Sequence, residues 1–368
     1  MTTESDPRAA TGGDDASLAE FGYQQELRRS LRLRDLLVYG MIFMVPIAPF
    51  AIFGVVFNTS RGMVPLTYLI GLVAMLFTAL SYREMSRAFP VAGSVYTYAG
   101  RGITSWVGFL AGWAILLDYL LVPTLLYVTG AAALETVLPG VPQWLWVVIF
   151  VVLNTTVNLA GVEITAQANR LFLLGELIVL AIFVVFALIA VVKGTGGAHW
   201  SVTPLFNKAE FSPSLVFAAL SVAVLSFLGF DAISTQSEEV QGGPKVVGRA
   251  TVLSLCLVAV VSLILGLFFV GQIAFLSTLV NFGALFAFLL LHVSVGVYYL
   301  IKRRQRTFGM HLVVPLIGFV IIGYVLYNAD THAKIGGSIW LAIGIAVIVV
   351  RKLTGRDVTL NLDENARA

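Results

Sequence analysis

Three carboxylates stand inside apolar runs: Asp118 in Leu116-Leu117-Asp118-Tyr119, Glu176 in Leu174-Gly175-Glu176-Leu177, and Asp231 at the end of Ser226-Phe227-Leu228-Gly229-Phe230-Asp231. A carboxylate surrounded by hydrocarbon is costly, so it normally faces a partner or a pathway. Such a group can hold an amine or carry a proton. For Asp231 two readings are open: a place at or beside a substrate amine, or an acceptor that steadies an interrupted helix. Asp118 and the adjoining Tyr119 are candidates for substrate contact or coupling, with hydrogen bonding between helices as the alternative. Glu176, once desolvated, could carry a proton, or it could reach water at the end of its run. Phe230 could close over a ligand or simply pack.

Carboxylates of this kind need elements that cross a membrane. The chain has 368 residues, 58% hydrophobic and 12% charged. Its apolar runs match the length of about 20 residues that a helix needs to cross hydrocarbon. They fall at 36–57, 64–82, 103–127, 144–162, 171–192, 215–235, 250–270, 276–301, 312–327 and 336–350, ten spans of an all-α membrane protein. With the N-terminus inside, 17 Lys and Arg lie in inner segments near the spans and 4 in outer ones, which places both termini in the cytoplasm. Residues 1–32 and 353–368 read as cytoplasmic tails around a membrane domain at 33–352, and the start has no signal-peptide pattern.

Two runs carry breaks. Met44-Val45-Pro46-Ile47-Ala48-Pro49-Phe50 puts two prolines in mid-span, and Ser226 to Asp231 sets a glycine beside a carboxylate. Irregular backbone at that depth is tolerated where it is packed in protein or lines a wet cavity. The freed peptide groups and half-helix dipoles suit a zwitterionic or cationic amine. Packing kinks are the plainer alternative. Gly108 and Gly112 form a small-residue packing face, and Glu238, Glu239, Lys245 and Arg249 a solvated inner rim. Cys256 is the single cysteine and His199, His292, His311 and His332 lack metal-ligand spacing, so no metal or other cofactor is expected. Phosphate-loop, nucleophile-elbow and zinc-helix motifs are absent, which argues against an enzyme, and nothing suggests nucleic acid as a partner.

The first-span break followed by Gly54, Phe77-Thr78-Ala79-Leu80-Ser81-Tyr82 and Pro90-Val91-Ala92-Gly93-Ser94-Val95-Tyr96-Thr97-Tyr98 together resemble the amino acid, polyamine and organocation permease superfamily, in the branch that includes putrescine importers. Gly112-Trp113, Leu117-Asp118-Tyr119, Ser226 to Asp231, Ser237-Glu238-Glu239 and Asn281-Phe282-Gly283-Ala284-Leu285 extend that resemblance. It implies a bundle of two inverted five-helix repeats in the plasma (inner) membrane. The first would be 33–193 and the second an incomplete 212–301, followed by two extra helices at 312–351. It implies a secondary transporter of an amino acid or polyamine, driven by H+ or Na+, working by alternating access. The substrate would sit on Pro46, Ile47, Ala48, Pro49, Ser226, Phe227, Gly229, Phe230 and Asp231. Family members typically have twelve spans, and here 250–270 looks like the start of the family's seventh helix joined to the body of its ninth. A rival reading is therefore a shortened relative that does not transport and acts as a binding or assembly subunit or has no activity.

Overall fold

The computed structural model describes residues 29–159, 162–194, 202–266, 275–305 and 307–354. The outer parts of the two expected tails and the end of the expected span 250–270 lie outside the described residues.

The elements are α1 (Leu33–Met44), α2 (Ala48–Thr59), α3 (Val64–Ala88), α4 (Ser94–Gly102), α5 (Ser105–Val137), α6 (Gln143–Leu159), α7 (Val162–Lys193), α8 (Pro213–Ala223), α9 (Pro244–Gly266), α10 (Phe275–Gly296), α11 (Val314–Asn328) and α12 (Thr331–Leu353). Two 3-10 segments, Val224–Phe227 and Phe230–Glu239, follow α8, and π-helical turns extend α10 to Lys302 and precede α11 from Gly309. Prolines 49 and 65 stand in the first turns of α2 and α3, where the missing N–H has no intrahelical acceptor to lose.

Among the described residues seven helices, or eight spans with the bent pair α1–α2, are long and apolar enough to cross a membrane. The other two of the ten expected spans fall on α6, which is shorter, and α9, which is not among those seven.

Both expected breaks are present. Val45 adopts a left-handed φ of 48°, the Ala48 N–H turns back to the Val45 carbonyl at 2.8 Å, and α1 and α2 diverge by 50°. In the second break Leu228 is extended and Gly229 has φ +102°, a conformation open to glycine at little cost. The chain then continues as ten residues of 3-10 helix. Its hydroxyls account for much of this tight winding. Ser234 donates to the Asp231 carbonyl, Thr235 to Ala232 and Ser237 to Ser234, each three residues back.

α3 and α9 pack along their lengths, α10 lies against α5, and a buried aromatic and aliphatic core runs between α3, α8, α10 and the second break. Within it Gly71 leaves room for the Phe227 ring, and His292 is held between Thr78 at 3.2 Å and Ser81 at 2.9 Å. The expected small-residue face is used as such: Gly108 sits on the backbone of Gly100, and Gly112 on the Tyr96 ring.

α12 is pinned to α5 by a reciprocal pair. Trp113 Nε1 donates to the Trp340 carbonyl at 2.8 Å, Trp340 Nε1 donates to the Trp113 carbonyl at 2.7 Å, and the rings stack at 4.8 Å. Gly337 and Gly344 of α12 accept the Phe282 and Trp113 rings at distances no side chain would allow.

Candidate functional site

The two breaks meet. A Cβ on Gly229 would lie 2.6 Å from the Phe43 carbonyl oxygen and 3.1 Å from the Met44 nitrogen, so the backbone of the second break rests on that of the first. Beside this junction lies a cavity of about 260 Å³, walled by α1, α2, the Leu225–Gly229 turn and α5.

Of the expected site residues, Ala48, Gly229, Asp118 and Tyr119 line this cavity. Asp118 is 5% exposed, and its Oδ1 is buried with no hydrogen-bond partner among the described residues. Five positions later Pro123 also lines the cavity; having no N–H, it leaves the carbonyl of Tyr119, four positions before it, without its ordinary helical donor. A buried carboxylate oxygen and a freed carbonyl on one helix wall both attract a positive group.

Asp231 sits behind the wall, 1% exposed. Its Oδ2 accepts hydrogen bonds from Tyr119 OH at 3.2 Å and from Ser94 Oγ at 3.3 Å. Because the single Ser94 proton goes to Asp231, Tyr82 OH donates to Ser94 at 3.1 Å. Asp231 thus ties the second break to α3, α4 and α5.

The other expected residues divide similarly. Ser226 Oγ is 3.1 Å from Tyr68 OH, Phe227 packs on the Tyr68 ring, and Phe230 is enclosed by Tyr82 and Phe288 with ring centroids 5.5 and 5.7 Å away. Phe230 is therefore packed in the core and does not cover the cavity. Pro46 and Pro49 are buried, Ile47 caps α2, and none of the three lines the cavity. Glu176 lies apart, on a cavity of about 120 Å³ with Ile42, Asn169, Phe172 and Leu173. Glu238 of the expected inner rim accepts the Ala92 N–H at 3.0 Å.

Sequence reasoning missed Phe43, Ile52, Val122, Leu125, Leu126 and Thr129, all of which line the cavity. The α5 members could have been found from Asp118, since positions 118, 122, 125, 126 and 129 follow one helical stripe.

An amino acid permease family model matches residues 35–329. This chain belongs to the amino acid permease family. It is 26% identical to the low-affinity putrescine importer PlaP of Escherichia coli K12 over 419 aligned positions, covering 87% of this chain and 93% of the importer. Those 419 positions hold about 320 residues of this chain, so about a hundred positions of the alignment have no residue here. It is also 25% identical to the methylthioribose transporter of Bacillus subtilis, covering 89% of this chain and 82% of that protein. The branched-chain amino acid permease BcaP of Lactococcus lactis is 21% identical, with 86% of this chain and 93% of that permease covered. The chain is thus an integral, multi-pass membrane protein of a transporter family, and its relatives act on small molecules rather than as enzymes.

Proposed function

We propose that this protein is a secondary transporter that moves a small organic amine, of the putrescine class, across the plasma membrane by alternating access around the junction of its two broken helices. The observation that carries this reading is Asp118, a buried carboxylate whose Oδ1 has no hydrogen-bond partner among the described residues, beside a cavity whose described lining has no Lys, Arg or His. A desolvated carboxylate favours a cation strongly.

The cavity is less suited to the carboxylate of an amino acid. Such a group would seek the N-terminal N–H groups of α2. There Pro49 has none, the Ala48 N–H is used by Val45, and the Phe50 N–H by the Ile47 carbonyl at 3.0 Å. An amine without a carboxylate therefore fits better than a zwitterion. Asp231, Ser226, Phe227 and Phe230 act in this reading by holding the break from behind. H+ is the coupling ion and Glu176 its carrier, Na+ being the alternative. Both termini are cytoplasmic, in keeping with the basic inner segments.

Radiolabelled putrescine uptake into proteoliposomes, with leucine as the competing zwitterion and with and without a pH gradient, tests the proposal. Uptake that putrescine competes for and leucine does not is the expected result; leucine uptake blocked poorly by putrescine would reverse the substrate assignment.

A second reading has an observation of its own. Tyr119 and Leu120, at the level of the cavity, are 44% and 53% exposed, and the alignment with the importer leaves about a hundred positions empty. A wall open on that side fits a shortened relative that binds the amine without carrying it. Saturable putrescine binding to purified protein, combined with no uptake under any gradient, would select this reading.

A further inference from the structure

A second, larger cavity of about 860 Å³ opens at the start of α1, between α1, α7 and the end of the long 3-10 segment. Its mouth is charged, with Arg34, Asp35, Arg170 and Glu239 on its walls. Phe43 lines this vestibule and also the cavity lined by Asp118, and among the described residues it is the one the two linings share. The ring is braced. Tyr39, one turn earlier on α1, contacts it at 4.6 Å between centroids, and Tyr39 OH accepts a hydrogen bond from Gln236 Nε2 at 3.1 Å. The carbonyl of Phe43 is covered by Gly229, so its backbone is fixed while its side chain stands between two open volumes.

We infer that Phe43 is the inner gate of the amine site, a single ring that separates the Asp118 cavity from the vestibule and is held closed by Tyr39 and Gln236. An aromatic ring suits this task because one χ1 rotation moves a large, rigid, water-excluding plate. The brace bridges the first broken helix to the second, so a relative movement of the two halves would release the ring. This inference rests on the amine-site reading for its purpose but not for its test.

The test needs no transport. A reporter thiol is placed in the Asp118 cavity by Ala51→Cys, and a control in the vestibule by Leu177→Cys, both on a Cys256→Ser background. A small cationic methanethiosulfonate, applied from the vestibule side of inverted membrane vesicles, should label the control quickly and the reporter slowly. Adding Phe43→Ala should speed reporter labelling several-fold, and Gln236→Ala should speed it less. Phe43→Leu serves if the alanine variant fails to give a monodisperse protein. A reporter labelled as fast with Phe43 intact as without it overturns the gate, as does one that stays slow after the ring is removed while the control reacts. Absence of putrescine uptake in every variant would overturn the transport reading and leave the labelling result standing.

Discussion

Gly229 lies on the carbonyl of Phe43, a backbone-to-backbone contact between residues 186 positions apart in the chain, at the breaks of two helices. A Cβ there would sit 2.6 Å from the Phe43 oxygen, and the φ of +102° is one that side chains rarely adopt. The two interruptions are therefore a single built joint, and the cavity beside it depends on their staying in register.

Gly229→Ala should separate the joint. The left-handed backbone alone costs about 1 kcal/mol or more for a residue with a side chain, and the clash adds to it. The expected outcome is a lower melting temperature in detergent and a loss of putrescine uptake. Gly175→Ala, at a position with open space around it, should melt like the parent.

Asp118 and Asp231 should behave differently. If Asp118 holds the amine, Asp118→Asn removes a charged hydrogen bond worth about 1.5–3 kcal/mol, which weakens apparent affinity about ten- to a hundredfold. Asp231→Asn keeps an acceptor oxygen for Tyr119 and Ser94, so its main effect should be on stability, while Asp231→Ala leaves both donors unsatisfied and should cost about 1–3 kcal/mol. Concentration series of uptake with parallel melting curves separate the two. An affinity loss in Asp231→Asn as large as in Asp118→Asn would move the amine to Asp231.

The reciprocal tryptophans should be coupled. Trp340→Phe and Trp113→Phe each remove one indole donor and leave a carbonyl short of a partner. Their double-mutant cycle should show a coupling of about 0.5–1.5 kcal/mol, read from thermal melts of the four proteins. Additive effects would mean that α12 is held elsewhere.

For Glu176 the measurement is uptake against pH. Removing the titrating carboxyl in Glu176→Gln should abolish acceleration by an inward proton gradient and flatten the pH profile, while exchange of labelled for unlabelled putrescine continues. Gradient-driven uptake that survives the substitution would exclude this residue as the proton carrier.

Much of the architecture was legible because its causes are local. Prolines 46 and 49, three positions apart in one apolar run, mark the first break, and Gly229 with Asp231 two positions on marks the second. The carboxylates were legible because charge in hydrocarbon stands out. What could not be read was the facing of side chains around each break. Phe230 and Phe227 turn into the core because Leu228 is extended and Gly229 is left-handed, and a run of letters carries neither angle. The rotation of α5 decides that Asp118 lies on the cavity wall while Asp231 accepts from Tyr119 behind it. The 3-10 winding after Phe230 was hidden as well, although the serines and threonine that stabilise it stand in the sequence at 234, 235 and 237. The Trp113–Trp340 pair joins positions 227 residues apart and has no local signature.

That pair also orders events during biosynthesis. The face of α5 that carries Trp113 reaches the lipid long before α12 has been synthesised, and it waits there uncapped while the later helices are inserted. A chain ended by a stop codon just before Thr331 would keep that indole bare and leave Phe282 without the groove at Gly337. Such a shortened protein would lose both packing contacts of α12 at once, and its bundle should melt at a lower temperature than the parent.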